Sequence, residues 1–429
     1  MTGHELNVHL GKDIIARLVL VNDEIQMHYS ADWQQKGHSV SPHLPLNDSI
    51  PPLNVQRFVR NLLPEGSGLE ELIGAFHLSK YNTFGLIHAL GEDTPGSLVI
   101  LSPDKPYPPP TTFRPLAEAE LAQRLDKRDE FGLVIWDGKP RLSVAGVQDK
   151  LNIVFNNKNQ IGFGEGALCS THILKFEKQK LSHLVLNEYI SMQLAKQSGL
   201  NVANVDLMRI GNHPALLVER FDRQLNPAND VMRRHIIDGC QALNLPPDYK
   251  YERNFGSARD VAHIRDGASL KLLFSFAEQC KNPALTKQHI LNWVLFNLLI
   301  FNSDAHAKNI SFFVSKSGMS LAPLYDLVNI KMYPEFEHEL AMGLGDEFDT
   351  NSIHAYQLAD FADSCNLPRR LVATNLKLLI KSLSVALPNL KNLKINDDER
   401  EYVNKYITMV EARCEYLNVE AESITSVYL

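Results

Sequence analysis

Apolar and polar residues alternate with a period of two through residues 6–29, as in Asn7-Val8-His9-Leu10, with a turn at Asn22-Asp23. That period predicts a small antiparallel sheet at the start of the chain. A period nearer 3.6 then predicts helices over 55–63, 69–76 and 83–90, the last ending at Gly91. A short apolar strand at 98–101 follows the turn Thr94-Pro95-Gly96-Ser97. Prolines at 103, 106, 108, 109 and 110 predict a stiff extended linker and a first domain boundary. A helix near 116–125 and strands at 151–155, 170–176, 205–210 and 215–221 complete a mixed sheet region, with one long helix, 182–198, inserted in it. The apolar positions Leu186, Ile190 and Leu194 give that helix one packing face. From residue 236 the pattern is mainly helical, with candidates at 236–243, 261–279, 286–301, 353–361, 370–386 and 398–416. A single hairpin, 310–314 and 320–324, interrupts them around Ser315-Lys316-Ser317-Gly318. Sheet region first and helical region second define an α+β chain with two lobes.

Composition narrows the class. A chain of 429 residues has room for two or three domains, and 44% hydrophobic with 22% charged residues is ordinary for a globular protein. The formal net charge of −7 works against a large nucleic-acid footprint of its own. Five scattered cysteines, Cys169, Cys240, Cys280, Cys365 and Cys414, lack metal-site or disulfide spacing and favour a reducing cytoplasm. The first residues, Met1-Thr2-Gly3-His4-Glu5, lack the regions of a signal peptide. The most apolar run, 293–301, falls short of the ~20 residues of a membrane span and carries Asn297 at its centre, so no membrane partner is expected.

Chemistry concentrates at Asn302-Ser303-Asp304-Ala305-His306-Ala307-Lys308-Asn309. A carboxylate followed five positions later by an amide, at the exit of a buried helix, suits phosphoryl transfer. Asp304 would take the proton of a hydroxyl nucleophile, and Asn309 would hold magnesium beside ATP phosphates. Asp326, beyond the hairpin, would bind the same metal. The same residues could instead be turn formers at a capped helix end. Ser143-Val144-Ala145-Gly146-Val147-Gln148-Asp149-Lys150 precedes a strand and could wrap phosphates with its backbone N–H groups; a plain polar loop is the alternative. Lys175 ends the next strand, where a kinase lysine reaches the phosphates, and Glu188 on the following helix could pair with it. Glu219-Arg220-Phe221-Asp222-Arg223 stands where a kinase hinge meets adenine, with Phe221 as an apolar wall. It could equally be a surface salt-bridge patch.

Taken in order, Ser143 to Lys150, Thr171 to Lys175, Val218 to Arg223, Ser303 to Asn309 and Leu324-Tyr325-Asp326 resemble the signature set of HipA-type serine/threonine kinases, the toxins of bacterial HipBA toxin–antitoxin modules. Gly91-Glu92-Asp93-Thr94-Pro95-Gly96 resembles a motif of the family's N-terminal subdomain. The resemblance implies a bilobal protein-kinase-like fold. Its parts would be a HipA N-terminal subdomain (1–105), a kinase N-lobe with nucleotide loop and hinge (106–223) and a helical C-lobe with the catalytic loop (224–429). It implies ATP and Mg2+ as cofactors and Asp304 as the base, with Asn309 and Asp326 as metal ligands. ATP contacts would come from Val144, Ala145, Gly146, Val147, Gln148, Lys150, Lys175, Glu219, Phe221, His306, Lys308, Asn309, Tyr325 and Asp326. Ser143 matches the serine that members autophosphorylate. The resemblance further implies a HipB-like helix-turn-helix antitoxin dimer as partner, operator DNA reached mainly through it, and an aminoacyl-tRNA synthetase, glutamyl-tRNA synthetase foremost, as substrate. Asp238-Gly239-Cys240-Gln241 departs from the family pattern, which starts this segment with more acid. Two other readings stay open: a catalytically silent corepressor module, and a small-molecule kinase of related fold.

Overall fold

The computed structural model describes residues 4–142, 148–156, 158, 160–178, 181–226 and 230–428. The chain forms two compact units. The first comprises residues 1–178, 204–247 and 312–318; the second comprises 179–203, 248–311 and 319–429.

In the first unit, the alternation at the start of the chain becomes an antiparallel sheet ordered Glu24–Tyr29, Asp13–Val21, Glu5–Leu10, Leu98–Leu101. Leu6 and Val8 bury one face of the first strand, and the late strand pairs with it from Leu10 opposite Leu98 to Asn7 opposite Leu101. Helices Pro52–Asn61, Gly66–Phe76 and Thr83–Leu90 occupy the interval. The proline-rich stretch is laid back on this sheet: the Tyr107 ring stacks on His9 at 3.8 Å and its hydroxyl donates to the Gly11 carbonyl.

A second, six-stranded sheet runs Val205–Ile210, His213–Glu219, His172–Phe176, Lys150–Phe155, Ile161–Glu165, Thr112–Pro115. Because successive side chains alternate sides, its two faces differ in chemistry. Leu151, Ile153, Phe163, Leu174 and Phe176 pack on one face against Leu121 and Leu125 of the helix Glu118–Asp126. The opposite face carries Lys150, Asn152, Ile173, Lys175, Leu216 and Val218, placed together by the strand register.

The helix expected over 236–243 is a strand, Ile236–Asp238, followed by a four-residue helix, Gly239–Ala242. Two adjacent β-branched isoleucines favour extended backbone, and the strand Ser311–Ser315 pairs beside them, with Val314 N–H donating to the His235 carbonyl at 3.0 Å. Asp238, where the family pattern departs, caps the short helix: it accepts from Gln241 N–H at 2.8 Å while Gln241 accepts from Asp238 N–H at 3.0 Å. Gln241 also donates to the Phe58 carbonyl, tying this turn to the helix Pro52–Asn61.

The second unit is built from helices Leu184–Gln197, Leu270–Phe276, Pro283–Leu299, Ala355–Ser364, Arg369–Ala386 and Asp397–Ser423. The expected helix 261–279 is shorter because Asp266-Gly267 breaks its first half; Ser269 then caps the helix by accepting from Leu272 N–H. Leu184–Gln197 buries more than the one face expected: Val185, Asn187, Glu188, Ser191 and Met192 are enclosed with Leu186, Ile190 and Leu194. It belongs to this helical unit, with Ser191 and Tyr406 sharing a 2.8 Å hydrogen bond. Among the described residues one helical stretch, Arg369–Asn392, is long and apolar enough to cross a membrane. Here it is amphipathic, burying Val372, Leu376, Leu379 and Leu383 and packing with Pro283–Leu299 and Asp397–Ser423.

Candidate active site

In the first unit, Lys150 and Lys175 stand directly opposite each other on neighbouring antiparallel strands, and both are buried. Like charges in that position are destabilising in themselves. The chain is held on both sides of residues 143–147. On the far side, Gln148 donates to the Phe176 carbonyl at 3.2 Å and Phe176 N–H donates to the Asp149 carbonyl at 2.8 Å. Burial pushes the Asp149 carboxyl up, against the pull of Arg128 and Lys178. On the near side, Glu71 accepts from the N–H groups of Leu133, Val134 and Ile135 at 3.1, 2.8 and 2.9 Å. Ser143, Val144, Ala145, Gly146 and Val147 lie outside the described residues.

The segment 219–223 is no surface patch. Glu219 is exposed and accepts from the Asn204 amide, and Phe221 meets Phe313 edge-on at 6.0 Å. Arg234 lies 3.6 Å over the Phe313 ring. The residues between, Arg220, Asp222 and Arg223, turn inward and are buried. Arg220 grips Asp222 with two bonds of 3.0 and 2.9 Å, and Arg223 adds a third at 2.7 Å. The partner of this cluster is the turn 91–96: Gly96 N–H donates to Asp222 at 2.8 Å, and Asp93 accepts from Ser170 at 2.5 Å and Arg223 at 3.2 Å. Burial alone would raise both carboxyls. Arg220 and Arg223 reverse this, holding Asp222 down at about 2 and Asp93, with Arg233 added, well below the usual range. Gly96 has to be glycine. Its φ is +77°, and a Cβ there would sit 3.0 Å from the Ile236 nitrogen. Nearby His235 is pushed down to about 4 by burial, and its Nε2 faces the Val40 carbonyl at 2.8 Å.

In the second unit, the helix Pro283–Leu299 stops where Phe301 takes a left-handed φ of +57°. Asn302 clamps the turn by donating to the Asn297 side chain at 2.8 Å. Asp304 then begins a loop that closes on itself. Its carbonyl accepts from His306 N–H at 2.8 Å and from the Asn309 amide at 3.0 Å. The five-residue spacing thus brings the amide back onto the acid's own backbone. His306, Lys308 and Asn309 are buried. The Tyr325 hydroxyl donates to the Lys308 carbonyl at 2.7 Å and shares a bond with Ser311, so it fastens the loop to the segment that leads into Asp326. Asp326 follows at φ +59°, a second non-glycine residue in the left-handed region, where strain gathers at functional sites. The chain after it is fixed by Asn187, whose side chain pairs with both backbone groups of Asn329. Glu188, the neighbour of Asn187, is buried in the second unit, while Lys175 belongs to the first.

The donor set suits magnesium. Asn309 uses its nitrogen within the loop, which leaves Oδ1 as an acceptor, and Asp326 is half-buried. One carboxylate and one amide oxygen match an ion that takes few protein ligands and completes its shell with water and phosphate. Among the described residues no cluster of three or more His, Cys, Asp or Glu could hold a metal. Three contributors escaped sequence reasoning: Tyr251, which donates to Asp304 at 2.7 Å, the Phe313 ring, and the partnership of Asp93 and Gly96 with residues 220–223. The Gly91–Gly96 motif was visible; its partner 126 residues on was not.

The first unit carries a sheet face with paired buried lysines, and the second a self-closed Asp–Asn loop at the end of a buried helix; these are residue types that a phosphotransferase of the kinase type uses. A family model described as "HipA-like C-terminal domain" matches residues 142–386, and one described as "HipA N-terminal domain" matches residues 6–101. The serine/threonine-protein kinase toxin HipA of Shewanella oneidensis is 48% identical over 415 residues, covering 96% of this chain and 95% of its own. A putative kinase of Sinorhizobium fredii is 30% identical over 404 residues, covering 90% and 92%. The solved Shewanella oneidensis toxin–antitoxin complex of HipA, HipB and operator DNA aligns with a TM-score of 0.91 at 47% identity, over 99% of this chain and 100% of that one. The chain belongs to the HipA family of serine/threonine-protein kinase toxins and has that family's α+β, kinase-like fold.

Proposed function

We propose that this chain is an active ATP- and Mg2+-dependent kinase that phosphorylates a protein of the translation machinery, an aminoacyl-tRNA synthetase and first of all glutamyl-tRNA synthetase. The observation that carries it is the intact set Lys175, Asp304, Asn309 and Asp326 in a chain so similar to a kinase toxin. A silent corepressor gains nothing by keeping all four. In this reading Gln148, Lys150 and Lys175, with the backbone of residues 144–147, bind the ATP phosphates; Glu219 and Phe221 receive the adenine. Glu188 steadies Lys175. His306, Lys308 and Tyr325 shape the loop beside the nucleotide. Asn309 and Asp326 would hold Mg2+, which neutralises charge on the transferred phosphoryl group. Asp304 takes the proton as the substrate hydroxyl oxygen bonds to the γ-phosphorus and ADP leaves with the electrons of the broken P–O bond. Residues 1–105, 106–223 and 224–429 would form the N-terminal subdomain, N-lobe and C-lobe.

The same reading makes Ser143 a self-inactivation switch. A phosphate there adds roughly −1.5 to −2 charge in a loop that has to cradle other phosphates. Incubating the protein with labelled ATP and a panel of purified synthetases tests both points. Label is expected on one synthetase and, by mass spectrometry, on Ser143. No transfer to any protein, itself included, would favour the silent module. Transfer to a small hydroxyl compound alone would favour the small-molecule kinase.

The related complex of HipA, HipB and operator DNA supports a HipB-like antitoxin as partner; in this reading the antitoxin is a helix-turn-helix dimer and this chain its corepressor in the cytoplasm. The net charge of −7 gives the chain little means of releasing counterions from DNA, so the partner should supply most of the DNA affinity. Gel shifts at physiological salt should show operator binding only when the antitoxin is present. Tight, specific binding by the chain alone would contradict this.

A further inference from the structure

We infer that Tyr251 is a positioning residue for the proposed base: its hydroxyl donates to Asp304 Oδ1 at 2.7 Å and sets the carboxylate for the substrate hydroxyl. The inference rests on Asp304 being the base. Within its loop, Asp304 is secured through its main-chain carbonyl, by His306 N–H and the Asn309 amide. Neither of those bonds fixes the carboxylate about its own side-chain torsions. The phenol does, and a hydroxyl donating to an ionised carboxylate is among the stronger hydrogen bonds. With one oxygen held, the other is left to take the proton.

The phenol is itself strapped in place. The main-chain carbonyl of Lys250, its neighbour, accepts from Ala307 N–H at 3.1 Å, inside the loop that carries Asp304. Glu252, on the other side, donates N–H to the Ala341 carbonyl at 2.8 Å, accepts from Gly343 N–H at 2.8 Å, and is paired with Arg265. Ala341 in turn donates to the Ser303 carbonyl at 2.8 Å, next to the acid. A Cβ on Gly267 would lie 1.8 Å from the Tyr251 carbonyl, so that glycine is what lets the segment lie flat. The Tyr251 ring meets the buried His306 ring edge-on at 5.1 Å, which limits its swing. One flank of Tyr251 is thus bonded to the loop that carries Asp304, and the other reaches it through Ala341. This is a rigid mount.

Tyr251→Phe keeps the ring and removes one oxygen. Misplacing a reacting group by about 1 Å can cost on the order of 100-fold, so kcat for phosphoryl transfer should fall roughly 10- to 100-fold. The KM for ATP should stay within about twofold and the melting temperature should hold, because the lost contact acts on the chemical step. A purely structural tyrosine would instead lower the melting temperature and spread its effect over both constants. Asp304→Asn is measured alongside. If that variant turns over like the wild type, the base assignment fails and this inference with it. If Asp304→Asn is inactive but Tyr251→Phe keeps its kcat, or loses only ATP affinity, the base stands and the positioning role is overturned. A rise in kcat would overturn it too, by marking the phenol as a block on the base.

Discussion

Asp304→Asn should lower phosphoryl transfer by roughly 10²- to 10⁴-fold, the range that a positioned general base contributes, while the protein still folds. The amide cannot accept the nucleophile's proton, yet it is isosteric and its oxygen can still accept from Tyr251. The bonds that close the loop use the Asp304 carbonyl, which the substitution does not touch. Loss of activity should therefore come without loss of the loop. Initial rates on a protein substrate, paired with thermal unfolding, separate the two effects. A variant with wild-type rates would remove Asp304 from the mechanism. One that is inactive but several degrees less stable would mean that the loop itself had been damaged.

Asp222→Ala should cost roughly 3–5 kcal/mol of stability, the usual loss when one member of a buried ion pair is removed. Arg220 and Arg223, whose side chains are 2% and 0% exposed, would lose the carboxylate they grip most closely and keep only Asp93, at 3.8 and 3.2 Å. Gly96 N–H would lose its acceptor as well, loosening the turn 91–96 from residues 220–223. Glu219→Ala, three residues away and exposed, serves as the control and should change stability little. Thermal or urea unfolding reads both. The native Asp222 pKa of about 2 lies below that of an unfolded aspartate, about 3.9. Its contribution is therefore complete above the unfolded value and is lost as pH falls toward 2. Asp222→Ala should flatten the wild-type loss of stability over that acid window. If the variant unfolds like the control, the cluster is not what joins residues 219–223 to the 91–96 turn.

The sequence by itself determined what depends on near neighbours. Period-two alternation made strands of residues 151–155 and 205–210, put Lys175 at a strand end and left Lys150 in the loop before a strand, which in the structure begins at Lys150 itself. Helical periodicity found the long helix leading into the Asp304 loop. The Asp-to-Asn spacing marked that loop because a closed turn of such length is a local object, formed by bonds between residues five apart. Residue types sufficed there, since φ/ψ preference and side-chain period act over a few positions.

Tertiary structure decided the rest, wherever a partner comes from far along the chain. That Lys150 and Lys175 face each other depends on strand register, which a one-residue slip would have undone. Residues 236–238 read as the start of a helix but form a strand, because a strand beginning at Ser311 lies beside them. Arg220, Asp222 and Arg223 have the composition of a solvated patch; only the distant turn 91–96, by burying them, turns their charges into a bracket. Tyr251 stands 53 residues from Asp304 and carries no motif of its own. Burial and register arise from contacts between segments remote in sequence, and no local pattern encodes which segments will meet.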